Sequence, residues 1–345
     1  MSTTAVSFKP KQVTKKILSM LPPRARDVIV SRYGLGADTE KMTLDAIGKR
    51  YGITRERVRQ IENYAITNIR KSKEFESSSA IFKELEVLIK KLGGVITEED
   101  LLQHISKDKS TQNHINLLLT LGHAFKRVKE DDHFKHRWHV DDSLSEQVHR
   151  SLHKLYESLS DEDLVSEPDI INRFLEHVKD VATEYKQEEI LHRWLRISRK
   201  IGKNPLGEWG VSHSQNINAK GMRDYAFLVI RKHGSPIHFT EVAKKITALF
   251  GKKAHIATTH NELIKDPRFV LVGRGLYALK EWGYLSGVVK DVIKNIIVEH
   301  GPLTKEKIIE KVLKERYVKE NTILVNLQNQ KFFKKDKAGN YSIVS

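Results

Sequence analysis

The spacing of apolar residues between Lys15 and Lys73 predicts a run of short helices. Ile17, Leu18 and Leu21 precede Pro22-Pro23. Val28, Ile29 and Tyr33 follow and end at Gly34-Leu35-Gly36, where glycine suits a helix C-cap. Thr43 can cap a helix with Leu44, Ile47 and Tyr51 on one face. Gly52 breaks it, and Thr54 can cap a further helix whose stripe is Val58, Ile61, Ala65 and Ile69. A short helix, a glycine turn and a second helix make a helix-turn-helix pattern.

Further along, one layout repeats. The segments LIKKLGGVITEEDLLQHI from Leu88, VIRKHGSPIHFTEVAKKI from Val229 and IIVEHGPLTKEKIIEKVL from Ile296 share it. Each reads as a helix end, a glycine-containing turn, one apolar residue (Ile96, Ile237, Leu303) and a new amphipathic helix. Third helices are predicted over 110–121, 255–265 and 320–329. Each repeat closes in two apolar runs around a polar turn, 125–128 with 137–140, 269–272 with 276–279 and 332–334 with 341–344, which read as hairpins. Residues 146–211 read as a weaker copy: Ser166-Glu167-Pro168-Asp169 starts its second helix, 186–199 is its third, and 206–211 is a strand.

The predicted fold is therefore mainly α: an N-terminal helix-turn-helix over 12–73, then tandem winged-helix domains of three helices plus a β-hairpin over 80–141, 146–213, 219–284 and 286–345. Polar stretches at 74–79, 141–145, 212–221 and 282–287 mark the boundaries, so the units read as beads on a string whose short linkers suggest a compact or curved array, not freely tumbling domains.

Charge gives this architecture a partner. The 345 residues carry a formal net charge of +16, and residues 1–73 hold 16 Lys/Arg against 6 Asp/Glu. A basic chain of this kind meets a polyanion, and the basic end is the N-terminal one. No apolar stretch is long enough to span a bilayer and MSTTAVSFKPKQ has no secretory h-region, so no membrane partner is expected. The absence of cysteine removes disulfides, thiolate zinc sites and cysteine nucleophiles, and fits a cytoplasmic protein.

The face of the second helix opposite its stripe carries Arg55, Glu56, Arg59, Gln60 and Asn63. In this motif the first turns of the second helix enter the major groove. Arg can donate twice to guanine, Gln can pair with adenine, and Glu can accept from cytosine. Arg55, Glu56, Arg59 and Gln60 are thus the base-reading candidates; Lys49, Arg57 and Arg32 are the phosphate candidates. An ordinary solvated face is the bland alternative, and the cap, turn and stripe in register weigh against it. In the third helix of the 219–284 unit, Thr258, Thr259, Asn261 and Lys265, with Arg274 (and Arg268) at the hairpin, are secondary candidates for nucleic-acid contact.

Other chemistry is not expected. Gly273 and Gly275 lie in a strand-turn-strand context with no following Lys-Ser/Thr, which favours a turn over a phosphate loop. His133, His136 and His139 cannot share one strand face, so no metal is predicted. There is no G-x-S-x-G, H-E-x-x-H or P-loop, so neither a catalytic residue, a cofactor nor a small-molecule substrate is expected, and the chain reads as a non-enzyme.

Two resemblances sharpen this reading. TLDAIGKRYGITRERVRQIENYAITNIRK, with LPPRARDVIVSRYGLG before it, resembles region 4 of the sigma-70 family over about residues 12–72. The resemblance implies recognition of the promoter −35 element by Arg55, Glu56, Arg59 and Gln60. It also implies docking on the β-subunit flap of core RNA polymerase through the helices before Thr43. No aromatic-rich helix of the strand-opening region 2 is recognisable, so autonomous initiation is not expected.

MRDYAFLVIRKHGSPIHFTEVAKKI followed by HIATTHNELIKDPRFVLVGRGLYALKEWGY resembles the HARE-type helix-turn-helix domain over about 222–284. That family includes the N-terminal domain of the RNA polymerase delta subunit, so the resemblance implies contact with DNA or with polymerase. The preferred expectation is a nucleoid-associated transcription factor that binds double-stranded promoter DNA and polymerase. A delta-like accessory subunit and an architectural DNA binder stay open.

Overall fold

The computed structural model describes residues 6–284 and 287–344. In it the apolar groups near the N-terminus become α1 (Pro10–Leu18), α2 (Pro23–Tyr33), α3 (Leu44–Tyr51) and α4 (Arg55–Arg70). The turn between α3 and α4 is fixed by local chemistry. The Thr43 hydroxyl accepts from Ala46 N–H and the Thr54 hydroxyl from Arg57 N–H, each at 3.1 Å, capping the two helices. Gly52 ends α3 in the left-handed region, at φ 63°. A Cβ on Gly48 would lie 2.6 Å from the Ile53 carbonyl, so the two helices close on each other only with glycine there. Val28, Ile47 and Val58, all fully buried, hold the motif together.

A short α5 (Lys73–Glu76) leads into α6 (Ser79–Lys91), β1 (Val95–Thr97), α7 (Glu98–Ile105), α8 (Lys109–Leu121), β2 (Lys126–Val128) and β3 (Arg137–His139). After these come α9 (Asp142–Glu157), α10 (Glu167–His177), α11 (Glu188–Leu195), β4 (Ile201–Lys203) and β5 (Trp209–Val211). Residues up to Gly202, with Trp209–Ser212, form one compact unit; Lys203–Glu208 and the residues from His213 onward form a second. The stretch 141–145, expected as a linker, is the start of α9, with the Asp141 carboxylate accepting from Leu144 N–H.

Helix α8 organises the first unit. Asn113 through Leu119 and Leu121 are all buried. It packs on α1, α2 and α4 as well as on α6 and α7. Ile17, Leu21, Ile29 and Ile69 of the helix-turn-helix therefore share one core with Leu85, Leu101, Leu118 and Trp138. Each such aliphatic side chain removed from water contributes about 1.5–3 kcal/mol, so the contact is not incidental. Polar ties fix its register. The Asn113 amide donates to the carbonyls of Gly34 and Thr39, and the Arg70 guanidinium donates to those of Thr120 and Leu121 at the end of α8. Residues 12–73 and 80–141 thus have a common interior.

The second unit contains α12 (Met222–His233), β6 (Ile237–His238), α13 (Phe239–Phe250), α14 (Ile256–Lys265), β7 (Phe269–Leu271) and β8 (Leu276–Leu279). It continues with α15 (Val289–His300), β9 (Leu303–Thr304), α16 (Lys305–Glu315), α17 (Glu320–Leu327), β10 (Phe333–Lys335) and β11 (Asn340–Ile343). The sheets run β1-β3-β2, β6-β8-β7 and β10-β11-β9, all antiparallel, and β4 pairs with β5.

The hairpins are thus three-stranded sheets, and the single apolar residue of each repeat is the extra strand. Ile96 pairs with Trp138, Ile237 with Tyr277 and Leu303 with Tyr341. The weaker copy keeps the same pairing as one isolated bridge, Val165 with Trp209. Each of these apolar residues is followed at once by the residue that caps the next helix: Thr97, Ser166, His238 and Thr304. A strand so short has no room to alternate, which is why the apolar pattern does not reveal it.

Within the second unit, Arg316 at the end of α16 is buried. Its guanidinium donates to the Leu271 and Gly287 carbonyls, and the next backbone N–H, of Tyr317, donates to Val272 at 2.8 Å.

Candidate nucleic-acid interface

Helix α4 buries Val58, Ala65 and Ile69 and turns Arg55, Glu56, Arg57, Arg59, Gln60 and Asn63 to solvent. The geometry brings the predicted readers together on the first turns. Arg59 donates through Nε and Nη2 to Glu56 at 2.8 and 2.7 Å, and Arg57 donates through Nη1 to the Gln60 side-chain Oε1 at 3.0 Å. The Arg59 guanidinium holds the Glu56 carboxyl below its ordinary range, so Glu56 is an acceptor on this face at neutral pH. Among the described residues Arg55 makes no ion pair or side-chain hydrogen bond, and it stands exposed on the first turn.

Of the phosphate candidates, Lys49 stands 79% exposed on α3, paired at 2.9 Å with Asp45, and Arg57 lies beside the readers. Arg32 is a correction. Its guanidinium donates to the Met42 carbonyl at 3.1 Å and faces Glu62 at 3.5 Å, so it braces α2 against α4.

Sequence reasoning missed Arg24 and Tyr64. With Pro22, Arg57 and Gln60 they line a groove of about 320 Å³ that continues the reading face. Tyr64 is 56% exposed. It lies one helical turn beyond Gln60, a spacing that the sequence does display.

On α14, Thr258, Asn261 and Lys265 are exposed, as is Arg274 in the turn between β7 and β8. Thr259 is a second correction: it is fully buried and its hydroxyl donates to the His255 carbonyl, so it belongs to the packed side. Arg268 is also internal, paired with Asp224 and Asp266 and stacked over Phe227. Ile256 and Ile264 stand exposed on the same helix as Asn261.

His136 accepts from the Glu130 N–H through Nδ1, whereas His139 bonds to Asp142. Among the described residues no three His, Asp or Glu side chains are grouped to hold a metal, and no helix is long and apolar enough to cross a membrane.

Comparison with known sequences places this surface in a class. Residues 17–71 match the family Sigma-70, region 4. Over 59 residues, 17% of this chain, the sequence is 42% identical to the RNA polymerase sigma factor RpoD of Neisseria gonorrhoeae, covering 9% of that protein. Over 54 residues, 16% of this chain, it is 50% identical to the RNA polymerase sigma factor SigA1 of Synechococcus elongatus, covering 13% of it. It is 48% identical over 59 residues, 17% of this chain, to the RNA polymerase sigma factor RpoS of Coxiella burnetii, covering 16% of it. The chain thus spans only 9–16% of the length of these relatives. The N-terminal helix-turn-helix is a sigma-region-4-like module.

Proposed function

We propose that this protein is a non-enzymatic transcription factor that binds promoter DNA through α4 and acts together with RNA polymerase. The observation that carries the reading is the exposed set Arg55, Glu56, Arg59 and Gln60 on the capped first turns of α4, inside residues matched to sigma-70 region 4. These side chains read base edges of a −35-like element, with Lys49 and Arg57 on flanking phosphates.

The repeats after residue 80 are read as winged-helix modules, the one at 222–284 being of HARE type. Polymerase is the second partner because both resemblances point to it. Contact through α1 and α2 falls to their outer side, which carries Lys11, Lys15 and Lys16, since the inner side is covered by α8. A protein with these partners is nucleoid-associated.

The test is fluorescence anisotropy of the full chain on a duplex carrying TTGACA against a scrambled duplex, at several salt concentrations. Arg55→Ala and Gln60→Ala should each weaken binding to the matched duplex by about 1–3 kcal/mol and relax its preference. Equal affinity for both duplexes at every salt concentration rules the base-reading role out. With a steep salt slope, that result makes the protein an architectural binder.

A second reading, a delta-like accessory subunit, is favoured by Ile256 and Ile264, whose exposure on α14 suits a protein surface better than a DNA groove. Retention on polymerase from nuclease-treated lysate, lost on changing both isoleucines to serine, distinguishes it.

A further inference from the structure

Helix α15 opens the last repeat with two lysines one helical turn apart, Lys290 and Lys294, and both reach the same aromatic ring. The Lys290 ammonium stands 4.2 Å and that of Lys294 4.7 Å from the ring centroid of Phe332. The ring lies where the chain enters β10. There the Val344 N–H donates to the Phe332 carbonyl at 2.9 Å, which carries the β10–β11 ladder one residue further. Lys334 follows two residues on, the spacing that puts alternate strand residues on one side. It is exposed, as is Lys331 beside the ring.

No carboxylate answers these cations. Among the described residues the ammoniums of Lys290, Lys294, Lys331 and Lys334 take part in no ion pair and no hydrogen bond. The acids nearest in sequence are engaged elsewhere. Asp291 accepts from Val288 N–H at 3.2 Å at the start of α15, Asp336 accepts from Asn340 N–H at 2.9 Å in the β10–β11 turn, and Glu299 faces His300 at 3.7 Å. Two like charges one turn apart repel each other and weaken a helix. The Phe332 ring attracts both, which offsets part of that repulsion and holds two flexible stems in one place. The face is thus a preorganised set of cations with no anion of its own.

In a helix-turn-helix the second helix of the pair enters the groove. In this repeat that helix is α17, whose residues ENTILVNL include no lysine or arginine, so the cations sit on a different face. The face of the Phe332 ring is taken by two ammoniums, so this surface offers charge without an apolar slot. Such a surface suits a phosphodiester backbone, a row of closely spaced charges, over an acidic peptide, whose anchors are apolar side chains. We propose that Lys290, Lys294, Lys331 and Lys334 around Phe332 form a second DNA contact, which grips the phosphate backbone of a duplex without reading its sequence. It lies in the second unit and not on α4, so the inference stands whether or not α4 reads a −35 element. Where α4 does read one, α4 supplies the preference between sequences and this face adds affinity for any of them.

Fluorescence anisotropy of the full chain on the TTGACA duplex and on the scrambled one, from about 50 to 200 mM chloride, tests it. Lys290→Gln combined with Lys294→Gln should weaken binding to both duplexes about tenfold at the lowest salt. It should also lower the slope of log affinity against log salt by about 2, and leave the ratio between the duplexes as it was. Lys244→Gln with Lys314→Gln removes two lysines already paired with Glu241 and Glu310, and should change the slope by less than about 1. Lys290→Arg with Lys294→Arg keeps both charges over the ring and should bind as the native chain does. Circular dichroism checks that each variant is folded. Lys331→Gln with Lys334→Gln, on exposed side chains, should lower the slope in the same direction and serves where the α15 pair disturbs the fold. An unchanged slope, a loss no larger than that of the control pair, or weak binding by the arginine pair overturns the proposal. So does a loss seen only as a narrowed ratio between the duplexes, which belongs to α4. Intact duplex binding with lost retention on polymerase from nuclease-treated lysate also overturns it, and assigns the face to a protein.

Discussion

Helices α8 and α14 hold the same place in their repeats, after a strand of three or two residues and a second helix and before the closing strands, yet one is interior and the other is surface. α8 buries Asn113 through Leu119 and Leu121, whereas α14 buries Thr259 and Leu263 and leaves Thr258, Asn261, Ile264 and Lys265 in solvent. The cause is composition. Consecutive Leu117, Leu118 and Leu119 put apolar surface on three sides of α8, and a helix apolar all round settles only between layers. The difference teaches that position in a repeat decides which elements a helix follows, while its own residues decide whether it can meet a partner. In the first repeat the third helix is interior and packs beneath the helix-turn-helix.

The contrast breaks most sharply at Leu118. Leu118→Ala should destabilise the first unit by about 2–5 kcal/mol in urea unfolding followed by circular dichroism; a loss under about 1 kcal/mol would mean that α8 is not the common core.

Acidity should come next, and it should act on the first unit. Burial, reinforced by Lys11 and opposed by Asp108, holds His114 of α8 below the ordinary imidazole range, and its Nε2 has no partner to receive a proton. His149 is lowered to about 4 by burial and by Arg137, whose Nε donates to its Nε2 at 2.8 Å. Both are neutral when folded and protonate in the unfolded chain. Their contribution is therefore complete above about pH 6.5 and is lost as pH falls, for His149 down to about pH 4, worth about 3 kcal/mol at most. The urea midpoint should drop over that window, and less steeply in His149→Asn. A midpoint that stays level in the native chain contradicts the buried neutral state.

The smallest effect belongs to α14. Asn261→Ala should change stability by less than about 0.5 kcal/mol, and a loss above about 1 kcal/mol would show that this face is packed.

The helix-turn-helix was legible because its determinants are local: Thr43 and Thr54 cap, Gly52 turns, and Val58, Ala65 and Ile69 follow the helical period. The three-stranded sheets were legible only as hairpins, since Ile96, Ile237 and Leu303 become strand residues through partners far along the chain. Arg32 looked like a free cation for the same reason: Glu62 and the Met42 carbonyl meet it only after folding. Thr259 is a different kind of miss. It stands four residues before Leu263 and so falls on the buried stripe, which the period alone could have indicated.

Arg316 has a consequence for how the last two repeats meet anything. A single guanidinium clasps the edge strand of one repeat and the approach to the next, and the neighbouring Tyr317 amide adds a rung to the same sheet. Two repeats riveted in this way keep a constant pitch. Their facing surfaces are held at one spacing, as the jaws of a clamp with a fixed gape are.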